Sequence, residues 1–231
     1  MPLNVISGGA PQSMAPFSDE ELATFNDDFD LLADSLQSLS RDLRDILLAR
    51  KGDYLQIAQI AKSALGDNLK FAGLQATAAG ELGMQLIRPI TVRNSGISGT
   101  QTPIMNWIQT YTSTGWTQLF NISLAQTGTS GSSATNLQNK VVLAFDSVID
   151  PTPSPKIAEY RFIVGPKSYG VHSLAWMPLS NLFYSRLFGM IYVGKNGTFT
   201  MRGNVQPSAG QDNLQLFGLT FATGDYLTYE T

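Results

Sequence analysis

The stretch FSDEELATFNDDFDLLADSLQSLSRDLRDILLARKG, Phe17 to Gly52, is the most strongly patterned segment of the chain. It opens with a full set of helix-start signals. Ser18 is a good N-cap, Glu21 sits three residues on as its capping-box partner, and Phe17 and Leu22 occupy the two staple positions. Asp19, Glu20 and Glu21 meet the positive end of the helix dipole. Arg41, Arg44, Arg50 and Lys51 crowd the other end before Gly52 supplies a C′ stop. The spacing predicts one helix of about 33 residues, roughly 50 Å long.

Its apolar residues step alternately by three and four. Leu22, Phe29, Leu36 and Leu43 fall at heptad position a, and Phe25, Leu32, Leu39 and Ile46 at d; Leu31, Leu47 and Leu48 lie off the stripe. A helix lying on its own globular core usually shows a wider stripe, so two positions in seven favour a coiled-coil assembly seam over an amphipathic helix of an intramolecular bundle. The a positions lack the β-branched residues of parallel dimers, and the two phenylalanines want a roomier core, so three strands are expected.

The rest of the chain divides around this helix. Residues 1–17 form a Pro/Gly-punctuated arm, ordered only where a neighbouring surface holds it, which favours a packed assembly. From Asp53 to Met84 a second helical segment is expected, with Gly66, Gly73 and Gly80 recurring every seven residues. Those glycines mark either a tight helix–helix contact or breaks in the helix. A helical stem over 18–85 and a head over 86–231 follow from charge as well. Up to Gln85 there are twelve acids and six bases, and from Leu86 onward six acids and nine bases.

From Leu86 the chain reads as short strands rich in aromatic and β-branched residues: LIRPITVR, IMNWIQTY, WTQLFNISLA, KVVLAFDSVI, AEYRFIVG, VHSLAWM, LFYSRLFGMIYVG, TFTMRGNV, LQLFGLTFA and DYLTY. Asn196-Gly197 predicts a type I′ hairpin between two of them. Strands without intervening helices predict an antiparallel β-sandwich or jelly roll, so the fold class is α+β. Thr127 to Asn139 is a long loop, and DPTPSPK, Asp150 to Lys156, a stiff extended connection.

Composition narrows function. The 231 residues carry a formal net charge of -3, only 14% are charged, and there is no cysteine. Lys and Arg are scattered singly, which argues against direct nucleic-acid binding. Missing cysteine excludes disulfides and thiolate metal sites. There is no basic and apolar leader of secretory type and no membrane-length apolar run.

No catalytic, cofactor or metal motif is present. The single histidine, His172, reads as a structural side chain in a strand. Asp146, Asp150, Glu159, Asp212, Asp225 and Glu230 supply carboxylates without a motif. Asn26 to Asp30 has the composition of a calcium loop but lies in the helical heptad and lacks the loop's Gly and terminal Glu. Trp107, Tyr111 and Trp116 could stack on sugar rings, although core packing explains them as well. Asn121 and Asn196 each begin a glycosylation sequon, a pattern that also arises by chance.

A capped coil, a small-residue neck and an all-β head in this order resemble the trimeric fibres, receptor-binding proteins and head-decorating spikes of tailed bacteriophages. The β part also resembles single jelly-roll capsid proteins of tailless bacterial and archaeal viruses. The same architecture occurs in secreted adhesins and C1q-like modules. The resemblance implies a non-enzymatic virion protein without cofactors, made in a host cytoplasm and assembled into a particle. Its implied partners are copies of itself, favouring a trimer, and other virion proteins. The alternative is a glycan- or receptor-binding adhesin head on a trimeric stem.

Overall fold

A computed structural model describes residues 5–7, 13–89, 93–95, 101–103, 106–123, 140–194, 197–206, 208 and 210–229. A short strand, β1 (Val5–Ser7), precedes helix α1 (Asp19–Ser35), a 3-10 turn (Leu36–Ser38), α2 (Arg41–Leu48) and α3 (Lys51–Leu65). Strands β2 (Lys70–Gly73), β3 (Glu81–Leu86), β4 (Arg93–Ser95), β5 (Gln101–Pro103), β6 (Ile108–Tyr111) and β7 (Gly115–Ser123) follow. Then come β8 (Val141–Asp150), β9 (Ile157–Val164), β10 (Lys167–Ser173), β11 (Met177–Pro178), β12 (Phe183–Val193) and β13 (Thr198–Val205). The order closes with β14 (Gly210–Asn213), β15 (Gln215–Thr223) and helix α4 (Gly224–Tyr229). The chain is α+β, with helices near its start and a mostly β body.

The capping box of α1 forms as the sequence predicts: Glu21 N–H donates to Ser18 Oγ at 3.3 Å, and Ser18 N–H donates to Glu21 Oε2 at 2.8 Å. At the staple positions, Phe17 packs on Phe71 and Phe25, and Leu22 is exposed. The single long helix does not form. Ser35 and Ser38 hydroxyls donate back to the carbonyls of Leu32 and Ser35, and Ser40, in extended conformation, caps a new helix by accepting from Leu43 N–H. Serine hydroxyls competing for the backbone end α1 and start α2. Gly52 lies inside the first turn of α3 rather than stopping a helix.

The expected assembly seam is consequently a core face. Phe25, Phe29, Leu32, Leu36 and Leu43 are buried with Tyr54 and Ile57 of α3 and with Val142, Ala144, Leu219 and Phe221 of the sheet beneath. Ile46 packs at the margin of that cluster, and only Leu22 and Leu39 of the eight remain exposed. The three helical pieces together supply the broad apolar surface that no single stripe provides.

The expected second helix stops at Leu65, and the remainder of Asp53 to Met84 holds β2, the start of β3 and the turns that join them. At Gly73 φ is +56°, and a Cβ there would lie 1.9 Å from the Asp28 carboxylate that accepts Leu74 N–H. Since β3 pairs with β15, residues on both sides of the expected 85/86 boundary share one sheet. Asp225 to Tyr229, expected in a strand, belong to α4.

The first sheet has the order β1-β12-β8-β15-β3-β2, with β11 on β12; the second has β10-β9-β13-β7-β4-β5, and β14 pairs with β6. The second sheet is antiparallel throughout, whereas the first has parallel pairs at both ends, β1 with β12 and β2 with β3. Val5–Ser7 of the N-terminal arm therefore find a holding surface on their own chain. Gly197 N–H donates to Gly194 O at 2.7 Å in a tight turn. That turn is not the predicted hairpin, because β12 and β13 lie in different sheets and it carries the chain between them. Asn196 and the Thr127–Asn139 loop lie outside the described residues.

Helices cover one face of the first sheet and the second sheet covers the other, so all ten residues of β8 are buried. Val141, Leu143 and Phe145 face the second sheet, and Val142 and Ala144 face the helices. Beyond a bulge at Asp146 the alternation reverses: Val148 faces the second sheet and Ile149 the helices. Opposite the bulge, a Cβ on Gly218 would lie 2.1 Å from Ala144 O. Phe29→Ala is expected to cost about 3–5 kcal/mol. Leu31→Ala, on an exposed side chain, should change stability by no more than about 0.5 kcal/mol. Urea unfolding at two protein concentrations checks both, since an intermolecular coil would make the Phe29 cost concentration-dependent.

Candidate functional site

The structure separates the three aromatic residues the sequence groups together. Trp107 and Tyr111 are buried, with Trp107 edge-on to Phe120 at 6.2 Å, and belong to the core between the sheets. Trp116 faces outward, for a reason found in the register of β7. Met201 pairs with Phe120 and Arg202 with Gln118, so Leu119 is an extra residue on β7. Period-two alternation from Ile122 and Phe120 would carry Trp116 inward, and the one-residue bulge turns it outward.

The outer face of the second sheet is laid out in cross-strand rows. Gln118, Arg202 and Arg161 form one, and Trp116, Asn204 and Glu159 the next. The Arg161 guanidinium lies over the Trp116 ring, 4.7 Å from its centroid, while Arg202 Nη2 donates to Trp116 O at 3.5 Å. Asn204 Nδ2 donates to Glu159 Oε2 at 3.0 Å. Beside the arginines is a concavity of about 250 Å³ walled by Arg161, Arg202, Ile163, Ser168, Tyr169 and Thr200. Thr200 Oγ1 donates to Asn121 Oδ1 at 2.9 Å. The face can present guanidinium forks to an oxyanion and an aromatic edge to an apolar ring. Trp116 was legible as a candidate. The arginines were not, because each stands alone in the sequence and only strand pairing brings them opposite.

Buried polar groups lie elsewhere. Glu21, beyond its capping role, accepts two bonds from Lys62 Nζ, at 2.7 and 2.9 Å, and one from Phe71 N–H at 2.7 Å. Burial pushes its carboxyl up, but those donors outweigh it and hold it below the usual value. Asp146 accepts two bonds from Arg50, at 2.7 and 3.1 Å, with Arg186 at 3.6 Å. Phe29, Leu43 and Tyr54 belong to the core of this helix–sheet layer. His172 sits among the rings of Tyr160, Phe162 and Phe188.

At one end of the sheets Asp150 and Asp212 are both buried near Tyr111. Asp150 accepts from Thr152 N–H at 2.8 Å and Asp212 from Lys156 N–H at 2.9 Å. Burial, with the Asp150 charge adding to it, pushes Asp212 up to about 6. The folded state thus holds this proton more tightly than the unfolded chain, whose aspartates titrate near about 3.9. Stability is therefore lost as pH rises from about 4 through about 6. Asp212→Asn keeps an oxygen for Lys156 N–H. It is expected to be more stable than the parent at pH 7 by on the order of 1–2 kcal/mol, with little difference at pH 3.5. Thermal unfolding of both proteins across that range checks the sign.

Among the described residues no group of three or more His, Asp or Glu side chains is arranged to hold a metal ion, and no helix is long and apolar enough to cross a membrane. No protein-family model matches the chain, and no curated protein matches it at a significant level.

Proposed function

We propose that this chain is a non-enzymatic structural protein of a virus particle, built on a jelly roll. The observation that carries the reading is strand order. Numbering β3, β7, β8, β9, β10, β12, β13 and β15 from one to eight, one sheet contains 1-8-3-6 reversed or read forward, and the other 2-7-4-5. Strand one pairs with eight, two with seven, three with six and four with five, as in an antiparallel ribbon rolled once around a core. That arrangement belongs to jelly rolls, the architecture of viral shells, lectins and cupins. A single histidine makes a cupin-type metal site a poor fit. The step from fold to virion is fold-level analogy.

With most of its apolar stripe turned inward, α1 offers no continuous coil for a trimer. Contacts between copies then fall to apolar side chains left exposed, among them Leu31 and Phe188, each 60% exposed, and Met177. Low charge suits such crowding. The adhesin reading has one observation in its favour, the Arg161–Trp116 stack on an outward face.

Light scattering of the full chain over a concentration series is the test. Reversible association that Leu31→Asp weakens with an unchanged thermal midpoint, and that Phe188→Asp, which also gives up the ring contact to His172, weakens as well, is the expected result. A chain that stays monomeric at every concentration and salt condition, or associates equally well with both substitutions, refutes assembly through these side chains.

A further inference from the structure

Sheet stability alone does not account for the two arginines on the outer face of the second sheet. Arg161 and Arg202 are directly opposed across β9 and β13, and like charges at opposed positions destabilise a sheet. Neither forms an ion pair among the described residues, and the acid in the adjoining row, Glu159, is engaged by Asn204. Arg161 is also braced before any ligand arrives, since Trp116 lies under its guanidinium. Bracing lowers the ordering cost of binding.

The geometry points to this concavity as a binding site for an acidic saccharide, a single sugar ring carrying a carboxylate or a sulfate. The inference rests on the receptor-binding reading and is independent of assembly. Three features select this class. Guanidinium forks match planar or tetrahedral oxyanions with paired hydrogen bonds. The volume, about 250 Å³, lies below the roughly 300–1,000 Å³ of sites for larger ligands, which suits one ring. The remaining wall is mixed: the hydroxyls of Ser168 and Thr200 suit sugar hydroxyls, and the exposed Ile163 side chain suits a C–H face. Thr200 Oγ1 spends its proton on Asn121, so its lone pairs can accept from a sugar hydroxyl. A bare phosphate needs no such wall, and a nucleic-acid strand needs a longer basic track than two arginines. The net charge of -3 means that attraction of an anion is local to this face.

The test is isothermal titration of the full chain, at fixed ionic strength, with D-glucuronic acid, D-glucose 6-sulfate, D-glucose and sodium sulfate. At least one acidic sugar is expected to bind while glucose does not, and the stronger of the two identifies the oxyanion. Arg202→Gln is expected to weaken that binding at least tenfold. Arg161→Lys, which keeps the charge but loses the fork and stack, should weaken it several-fold; unchanged circular dichroism would show both variants folded. Sodium sulfate binding as tightly as the acidic sugars overturns the saccharide assignment and leaves a simple anion site. Acidic-sugar binding that survives both substitutions overturns this site while leaving receptor binding standing elsewhere on the chain. No binding by any of the four probes overturns the inference outright.

Discussion

Strand β8 is buried on both faces, and the rest of the architecture follows from what must cover it. A strand such as VVLAFDSVID has no polar side to offer water, so the sheet that contains it needs a layer above and a layer below. Helices α1 to α3 form one layer and the second sheet the other. The apolar stripe of Phe25, Phe29, Leu32, Leu36 and Leu43 is thereby committed to the chain's own sheet. Strand β8 claims the surface that a free coil would have offered to other copies.

Covering both faces also makes any irregularity in β8 expensive, and Asp146 sits at one. Its carboxylate, buried at the bulge, is matched by Arg50 from the junction of α2 and α3, with Arg186 nearby. A buried carboxylate left without its partner is costly, so this pair ties the seat of the helical layer to the point where the central strand changes face. Gly218 completes the arrangement, since the neighbouring backbone approaches too closely for any side chain.

Once the helices occupy the first sheet's outer face, the second sheet has the face left for recognition. Its irregularity, the extra Leu119, has the opposite use: it turns an aromatic residue out of the core and under an arginine. Structural and receptor-binding readings therefore concern different surfaces of one molecule. In the proposed readings the exposed apolar side chains would serve contacts between copies, and the arginine face a small anionic ligand. Neither surface competes with the other for residues.

Local signals were legible because their physics is local. The Ser18–Glu21 capping box needs only three residues of helix, the strand runs need only alternation, and Asn196-Gly197 marks a turn. Residue types alone also identified Trp116 as a candidate and left no catalytic or cysteine-based chemistry to propose. Whether the narrow stripe faced another chain or its own sheet, whether the turn after β12 made a hairpin or crossed between sheets, and whether Trp116 lay inside or out depended on pairing between distant segments. The bulge at Leu119 decided the last point: one extra residue reverses every later side chain, at no cost visible in sequence. Arg161 and Arg202 met for the same reason, because hydrogen bonds between strands about forty residues apart set their register. The amino-acid sequence alone determined the start of α1 and most of the strands, because caps and strand propensity act over a few residues; only tertiary packing determined where the helices break, which face each element shows and to what.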